Sequence, residues 1–195
     1  MNTAQKIEIQ RTTTQTQQLG LWEQIQEDWI AHDRDWTKPG FQAVVVQRFG
    51  VWRMQIKSLM FRAPLSFLYR MLYRKIRNTY GIELPYSVEL GRRVIVEHQH
   101  GIVIHGNSVI GDDCIIRQGV TLGNRYLDQP FHAPKLGKRV NIGAGAKILG
   151  NVTIGDDVCI GANAVVLSDI PSGETVVGIP AQIIRSKPSQ NLHLS

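Results

Sequence analysis

An aliphatic residue returns every six positions through the middle of this chain. Leu136, Ile142, Ile148, Ile154, Ile160 and Val166 form one series, Ile104, Ile110, Ile116 and Leu122 a second, and Leu84, Leu90 and Val96 a third. Gly follows the aliphatic residue at Leu90, Ile110, Leu122, Leu136, Ile142, Ile154 and Ile160, and a small or β-branched residue often precedes it by two, as at Val140, Ala146, Val152, Val158 and Ala164. A period of six suits neither a helix nor a flat strand. It suits a solenoid in which each hexad is one short strand and one corner. The aliphatic side chain then points inward, and the Gly is expected to turn the corner at φ > 0. Phase held over so many positions speaks against chance Ile-Gly pairs in a β-sandwich.

The period breaks twice. From Val96 to Ile104 the step is eight, around Glu97-His98-Gln99-His100-Gly101, and from Leu122 to Leu136 it is fourteen, so a loop leaves the solenoid near Asn124 to Pro134. The first break carries His98 and His100, the second His132. Irregular backbone at an exposed corner is where a site can be built.

Upstream, Leu21 to His32, Phe41 to Met60 (with a break at Gly50) and Pro64 to Tyr80 read as helices, the last ended by Gly81. The expected organisation is a disordered tail at 1–20, an α-helical region at 21–82, a mainly β solenoid at 83–184 whose last strand is Gln182-Ile183-Ile184, and a loose tail at 185–195. The helices are expected to cap the N-terminal end of the solenoid, since open strand edges invite aggregation. Net charge is +6, and from Arg34 to Arg93 twelve Lys or Arg stand against Asp35, Glu83 and Glu89. No stacking aromatic pattern or DNA-binding motif accompanies them, so nucleic acid is not an expected partner. Leu65, Leu68, Met71, Leu72 and Ile76 form one face of the third helix. That face is expected to pack on a neighbouring helix or on the first coil, not on a membrane. Cys114 falls on an inward position and reads as a buried free thiol. With Cys159 in another coil and no signal peptide, a reducing cytoplasmic location is expected.

Residues 83–184 resemble the catalytic domain of bacterial serine O-acetyltransferases, within the hexapeptide-repeat acyltransferases. The resemblance rests on Leu90-Gly91, Glu97-His98 followed by Gly101-Ile102-Val103, Gln118 to Gly123, Pro134-Lys135-Leu136, Asn141 to Asn151 and Gly178-Ile179-Pro180-Ala181. Both irregular corners match in place. The resemblance implies a left-handed parallel β-helix, against the usual right-handed crossover. It also implies a homotrimer or dimer of trimers with sites between subunits, and acetyl-CoA as co-substrate along the groove, near Gly123, Ala144 and Ala162.

The same resemblance makes His98 the general base that activates a hydroxyl nucleophile, and Glu83 the carboxylate that orients it, where the family has Asp. It makes Glu97 the ligand of the substrate amine, again in place of Asp, and His132 the ligand of the substrate carboxylate, with a one-residue gap before Pro134-Lys135. The family's Arg before that His is replaced by Phe131, and Arg125 is the nearest substitute. Asp35 matches a further substrate Asp. The activity implied is transfer of acetyl from acetyl-CoA to L-serine. The alternatives are O-acetylation of a sugar or polysaccharide precursor, a zinc hydratase using His98, His100 and His105, and a non-catalytic trimerising scaffold. No metal is expected. The family's complex with cysteine synthase depends on a terminal Ile, and Leu194-Ser195 stands here instead, so that partner is not expected.

Overall fold

A computed structural model describes residues 19–184. The tails expected at 1–20 and 185–195, with the terminal Leu194-Ser195 on which the cysteine synthase reading turns, lie outside the described residues, save Leu19 and Gly20. Three helices, α1 (Leu21–Ala31), α2 (Pro39–Met54) and α3 (Leu59–Tyr80), precede the solenoid. Pro39 opens α2 at a position where its missing N–H needs no partner. The expected break at Gly50 is absent. Gly50 serves instead for close approach: a Cβ there would lie 2.6 Å from Tyr69 and Tyr86. Helix α3 begins a turn earlier than expected and carries Pro64 inside it, where only the carbonyl of exposed Met60 forgoes a bond. It ends, as expected, at Gly81 in the left-handed region.

Fifteen short strands, numbered along the chain, form three faces of a left-handed parallel β-helix. Face A stacks β1 (Ile82–Glu83), β4 (Ile102–Ile104), β7 (Thr121–Gly123), β10 (Lys147–Leu149) and β13 (Val165–Val166). Face B stacks β2 (Glu89–Leu90), β5 (Val109–Ile110), β8 (Lys135–Leu136) and β11 (Thr153–Ile154). Face C stacks β3 (Ile95–Val96), β6 (Ile115–Ile116), β9 (Asn141–Ile142), β12 (Cys159–Ile160), β14 (Thr175–Val177) and the antiparallel β15 (Gln182–Ile184). The regular coil offset is 18 residues, as in Val103 opposite Thr121 and Lys147 opposite Val165. The first break raises it to 20, Ile82 opposite Ile102, and the second to 26, Val109 opposite Lys135. Both irregularities therefore leave the stack at corners, and the columns inside stay aligned. Ile104, Leu122, Ile148 and Val166 form one such buried column. Each member contributes roughly 1.5–3 kcal/mol relative to exposure.

The corner glycines do not work as the sequence suggested. Gly91, Gly111, Gly137, Gly143, Gly155 and Gly161 are not the left-handed residues. These come two positions later, at Arg93, Asp113, Arg139, Gly145, Asp157 and Asn163. The reason for Gly is space. A Cβ on Gly111 would lie 2.5 Å from the carbonyl carbon of Gly137, and one on Gly143 2.5 Å from the amide of Ala162. Several left-handed residues add a bidentate ion pair between coils: Arg93 donates to Asp113 at 2.6 and 2.7 Å, and Arg139 to Asp157 at the same distances.

The helices cap the first coil, as expected, and they do so with buried polar side chains. Gln47 donates to the Val88 carbonyl at 3.0 Å. Arg48 donates to the carbonyls of Leu90 and Gly91 at 2.8 and 2.5 Å and to the Asp28 carboxylate at 2.9 Å. Cys114 is buried as expected, and burial pushes its thiol up to about 11. The face expected for α3 is split. Tyr69 and Ile76 are buried against α2 and the first coil and Leu65 and Leu72 half-buried, but Leu68 and Met71 are exposed, because the seam follows Tyr69 and Ile76. No helix among the described residues is long and apolar enough to cross a membrane.

Arg48→Met would leave the Asp28 carboxylate buried without its cation and two first-coil carbonyls without a donor. Removing one partner of such a pair is expected to cost about 3–5 kcal/mol, read as a lower unfolding midpoint in urea. An unchanged midpoint would show that the cap does not depend on this pair.

Candidate active site

The first break is a two-residue bulge. Glu97 donates its N–H to the Ile116 carbonyl at 2.8 Å, and the His100 carbonyl accepts the Gly119 N–H at 3.0 Å. Both ends of the bulge are thus tied to the next coil in regular fashion, which leaves His98 and Gln99 as the extra residues. His98 adopts φ +64°, a conformation uncommon for a side chain with a Cβ. Its exposed imidazole, with Glu97 and Gln99, lines a cleft of about 380 Å³ against Asp33, Lys38 and Pro39 from the turn between α1 and α2.

That turn is tightly built, with Asp33 and Arg34 both at positive φ. Lys38 pairs with Asp33 at 2.5 Å, which raises the Lys38 ammonium above its ordinary value and lowers the Asp33 carboxyl. Asp35 lies in the same turn. Its carboxylate accepts the Thr37 hydroxyl at 2.6 Å and the Thr37 N–H at 2.8 Å, and these bonds hold its carboxyl below the usual range. Glu97 is engaged by Arg117 at 2.8 Å. Arg117 in turn reaches Asn141 on the third coil. Glu83 points outward from face A, and its nearby carboxylate adds to burial in raising the Tyr73 phenol of α3.

Apart from Asp35 in the turn and Glu83 on face A itself, which makes no hydrogen bond to His98, the sequence-predicted residues fall on two edges of face A. Glu97, His98, Ala144 and Ala162 belong to the corner between faces C and A. There His100, Gln118, Ala144 and Ala162 follow one another down the coils, linked by Gly119 to His100, Gly145 to Gln118 and Asn163 to Ala144 amide–carbonyl bonds of 2.8–3.0 Å. Gly123, Arg125 and His132 belong to the corner between faces A and B, where the long loop leaves. Arg125 lies over the Tyr126 ring at 5.1 Å, and His132 is exposed. Asn107 moors the loop by donating to the Phe131 carbonyl at 3.2 Å. A single chain therefore does not bring His98 to His132, nor Gly123 to Ala144 and Ala162. The three histidines of the hydratase reading are also divided, with His98 and His100 on one corner and His105 on the other. Among the described residues no group of three or more His, Cys, Asp or Glu could hold a metal ion.

Sequence reasoning missed Asp33 and Lys38, which carry no periodic signal, and Arg117. The Arg117 pairing becomes legible once Val96 is set opposite Ile116, because the next residues, Glu97 and Arg117, are then neighbours. It also missed His32. This buried ring donates from Nδ1 to the Asp28 carbonyl at 2.7 Å and accepts at Nε2 from the Val96 N–H at 3.2 Å. It anchors the strand that enters the bulge.

Residues 133–168 match the family described as bacterial transferase hexapeptide (six repeats). The serine acetyltransferase of Helicobacter pylori is 40% identical over 164 residues, covering 82% of this chain and 91% of that protein. The serine acetyltransferase of Synechococcus elongatus is 42% identical over 146 residues, covering 75% of this chain, and the chain spans only 57% of that protein's length. Soybean serine acetyltransferase complexed with serine superposes with a TM-score of 0.71 at 32% identity, covering 84% of this chain and 69% of that one.

Burial holds the His32 imidazole below its ordinary value, with the Asp28 carbonyl opposing in part. The unfolded chain then binds more protons than the folded one, so this stability is fully present above a pH of about 6.5. It is lost as pH falls from there through the lower folded-state value, by at most about 1.4 kcal/mol per pH unit. Melting temperatures between neutral and mildly acidic pH should show this slope, and His32→Gln should flatten it. A parent and variant with parallel profiles would refute the assignment.

Proposed function

The chain belongs to the serine acetyltransferase family of hexapeptide-repeat acyltransferases, whose members are acetyl-CoA-dependent O-acetyltransferases, and we propose that it moves acetyl from acetyl-CoA to the hydroxyl of L-serine with His98 as general base. The observation that carries this is the bulge: a regular solenoid gains two residues at one corner, and they project an imidazole into a cleft walled by charged groups. An imidazole is the side chain suited to removing a hydroxyl proton at neutral pH. His98 takes that proton as the serine oxygen attacks the thioester carbonyl, and returns it to the departing thiolate. Glu83 is proposed as the carboxylate that orients the ring, a role that rests on the family resemblance and not on a contact between the two side chains.

The remaining roles follow the charges. Glu97 and Asp35 supply negative charge toward the serine ammonium, and the hydrogen bonds from Thr37 favour an ionised Asp35. His132 and Arg125 supply donors toward the serine carboxylate. These two, with Gly123, stand on the far edge of face A, so the complete site is assembled between copies of the chain, in a homotrimer or a dimer of trimers. On the corner below His98, past Gln118, the column continues as Ala144 and Ala162, small side chains that suit the close approach of the pantetheine arm of acetyl-CoA. A cytoplasmic reaction is part of this proposal, in keeping with the free thiols of Cys114 and Cys159.

A second acceptor class has one specific observation in its favour. Glu97 is already paired with the Arg117 guanidinium at 2.8 Å, which leaves less free negative charge for an amine. A sugar hydroxyl carries no ammonium group to be matched. Thiol release from acetyl-CoA in the presence of L-serine, and separately of free sugars, tests both. L-serine is expected to be the better acceptor, and a rate that rises only with sugars would replace it. In either case His98→Ala is expected to lower kcat by roughly 10²–10⁴ while acetyl-CoA binding persists, and unchanged turnover would remove His98 from the role. Ala162→Trp is expected to abolish acetyl-CoA binding in calorimetry without lowering the melting temperature. Undiminished binding would place the arm elsewhere.

A further inference from the structure

Helix α3 has two apolar faces, and only one is used. Tyr69 and Ile76 are buried against α2 and the first coil. At 100° per residue, Met60 lies half a turn around the helix from Tyr69, and Phe67 and Met71 follow Met60 at spacings of seven and four. They form a second stripe on the opposite side, with Met60 75%, Phe67 58% and Met71 56% exposed. Three large apolar side chains aligned and exposed on one side of a helix invite a partner.

The charges around the stripe are of one sign. Between Asp35 and Glu83 the chain has no acidic residue. Arg70, Arg74 and Lys75 are exposed beside the stripe, and no ion pair among the described residues involves them. A second copy of this helix laid face to face would set cations against cations, so the charge pattern disfavours self-association. A surface with anionic groups above a hydrocarbon layer satisfies both features at once: the aromatic and thioether side chains enter the acyl boundary, and the guanidinium and ammonium groups stay at the phosphates. We propose that the Met60–Phe67–Met71 stripe and its flanking cations form a docking face for anionic phospholipid membranes. The enzyme lies on the surface by α3; it does not span the bilayer.

Co-sedimentation of the full chain with vesicles tests this. The protein is expected to pellet with phosphatidylcholine vesicles containing phosphatidylglycerol and to be released by high salt, while pure phosphatidylcholine retains much less. Phe67→Glu with Met71→Glu is expected to weaken vesicle binding at least about tenfold, and Arg70→Glu with Arg74→Glu, which spares the apolar stripe, to weaken it as well. Both pairs are exposed, and an unchanged melting temperature will confirm that they fold. Failure of the parent to pellet with anionic vesicles, or equal binding to neutral ones, overturns the proposal. So does a sedimentation-equilibrium mass that falls in the Phe67→Glu, Met71→Glu variant without lipid, because the face would then belong to a second copy of the chain.

Discussion

Everything in this structure depends on backbone stacking directly on backbone at the corners. Successive coils are joined by amide-to-carbonyl bonds such as Gly111 to Leu136 at 3.0 Å and Gly143 to Ile160 at 2.7 Å. At that separation a Cβ on the first corner residue has nowhere to go, since the next coil's backbone occupies its place. The constraint fixes the coil at 18 residues wherever the chain is regular. It also dictates that extra residues leave the stack outward. The two-residue bulge and the long loop are the permitted departures, and both carry imidazoles. Side chains able to do chemistry gather on the departures because the regular coils have only aliphatic interiors and closely stacked corners to offer.

A stack of this kind has two ends, and each presents unpaired backbone. At the C-terminal end the chain turns back, and β15 pairs antiparallel with β14. At the N-terminal end the helices supply side chains instead. Gln47 and Arg48 take carbonyls of the first coil, and His32 takes the Val96 amide. This end also bears the His98 bulge, so the cap and the bulge share a framework. The turn that leaves α1 provides both His32, which holds the strand into the bulge, and Asp33 and Lys38, which wall the cleft. Loosening the cap is thus a local disturbance of the site as well as a loss of stability.

The period of six, the inward columns, both irregular corners and the number of helices were legible in the sequence, because each leaves a phase or a break in phase. The corner mechanism was not. Gly following an aliphatic residue looks like a demand for positive φ, yet the left-handed residues are Arg93, Asp113, Arg139, Asp157 and Asn163, whose type gives little away. Steric exclusion by a neighbouring coil is a long-range fact with no local signature. Gly50 misled for the same reason: it reads as a helix breaker but makes room for Tyr69 and Tyr86. In α3, Leu68 lies near Leu65 and Leu72 around the helix, and only the position of α2 decides which of them is covered.

The division of the site between two edges of face A follows from the same stiffness. A prism tied by backbone bonds at every coil cannot bend one edge onto another, so residues on the C–A corner and on the A–B corner of one chain stay apart by the width of the face. The long loop does not close this distance, since Asn107 holds it to its own corner through the Phe131 carbonyl. A substrate that needs His98 on one side and His132 on the other must therefore lie where one prism's C–A edge meets another prism's A–B edge. In such an assembly oligomerisation would complete the site, and the outward residues of face A, such as Val103, Thr121 and Lys147, lie between the two edges that a single chain holds apart. Of these Lys147 is already committed within its own chain, donating to the Gly119 carbonyl at the corner below the bulge. It links the outward column of face A to the backbone that supports His98.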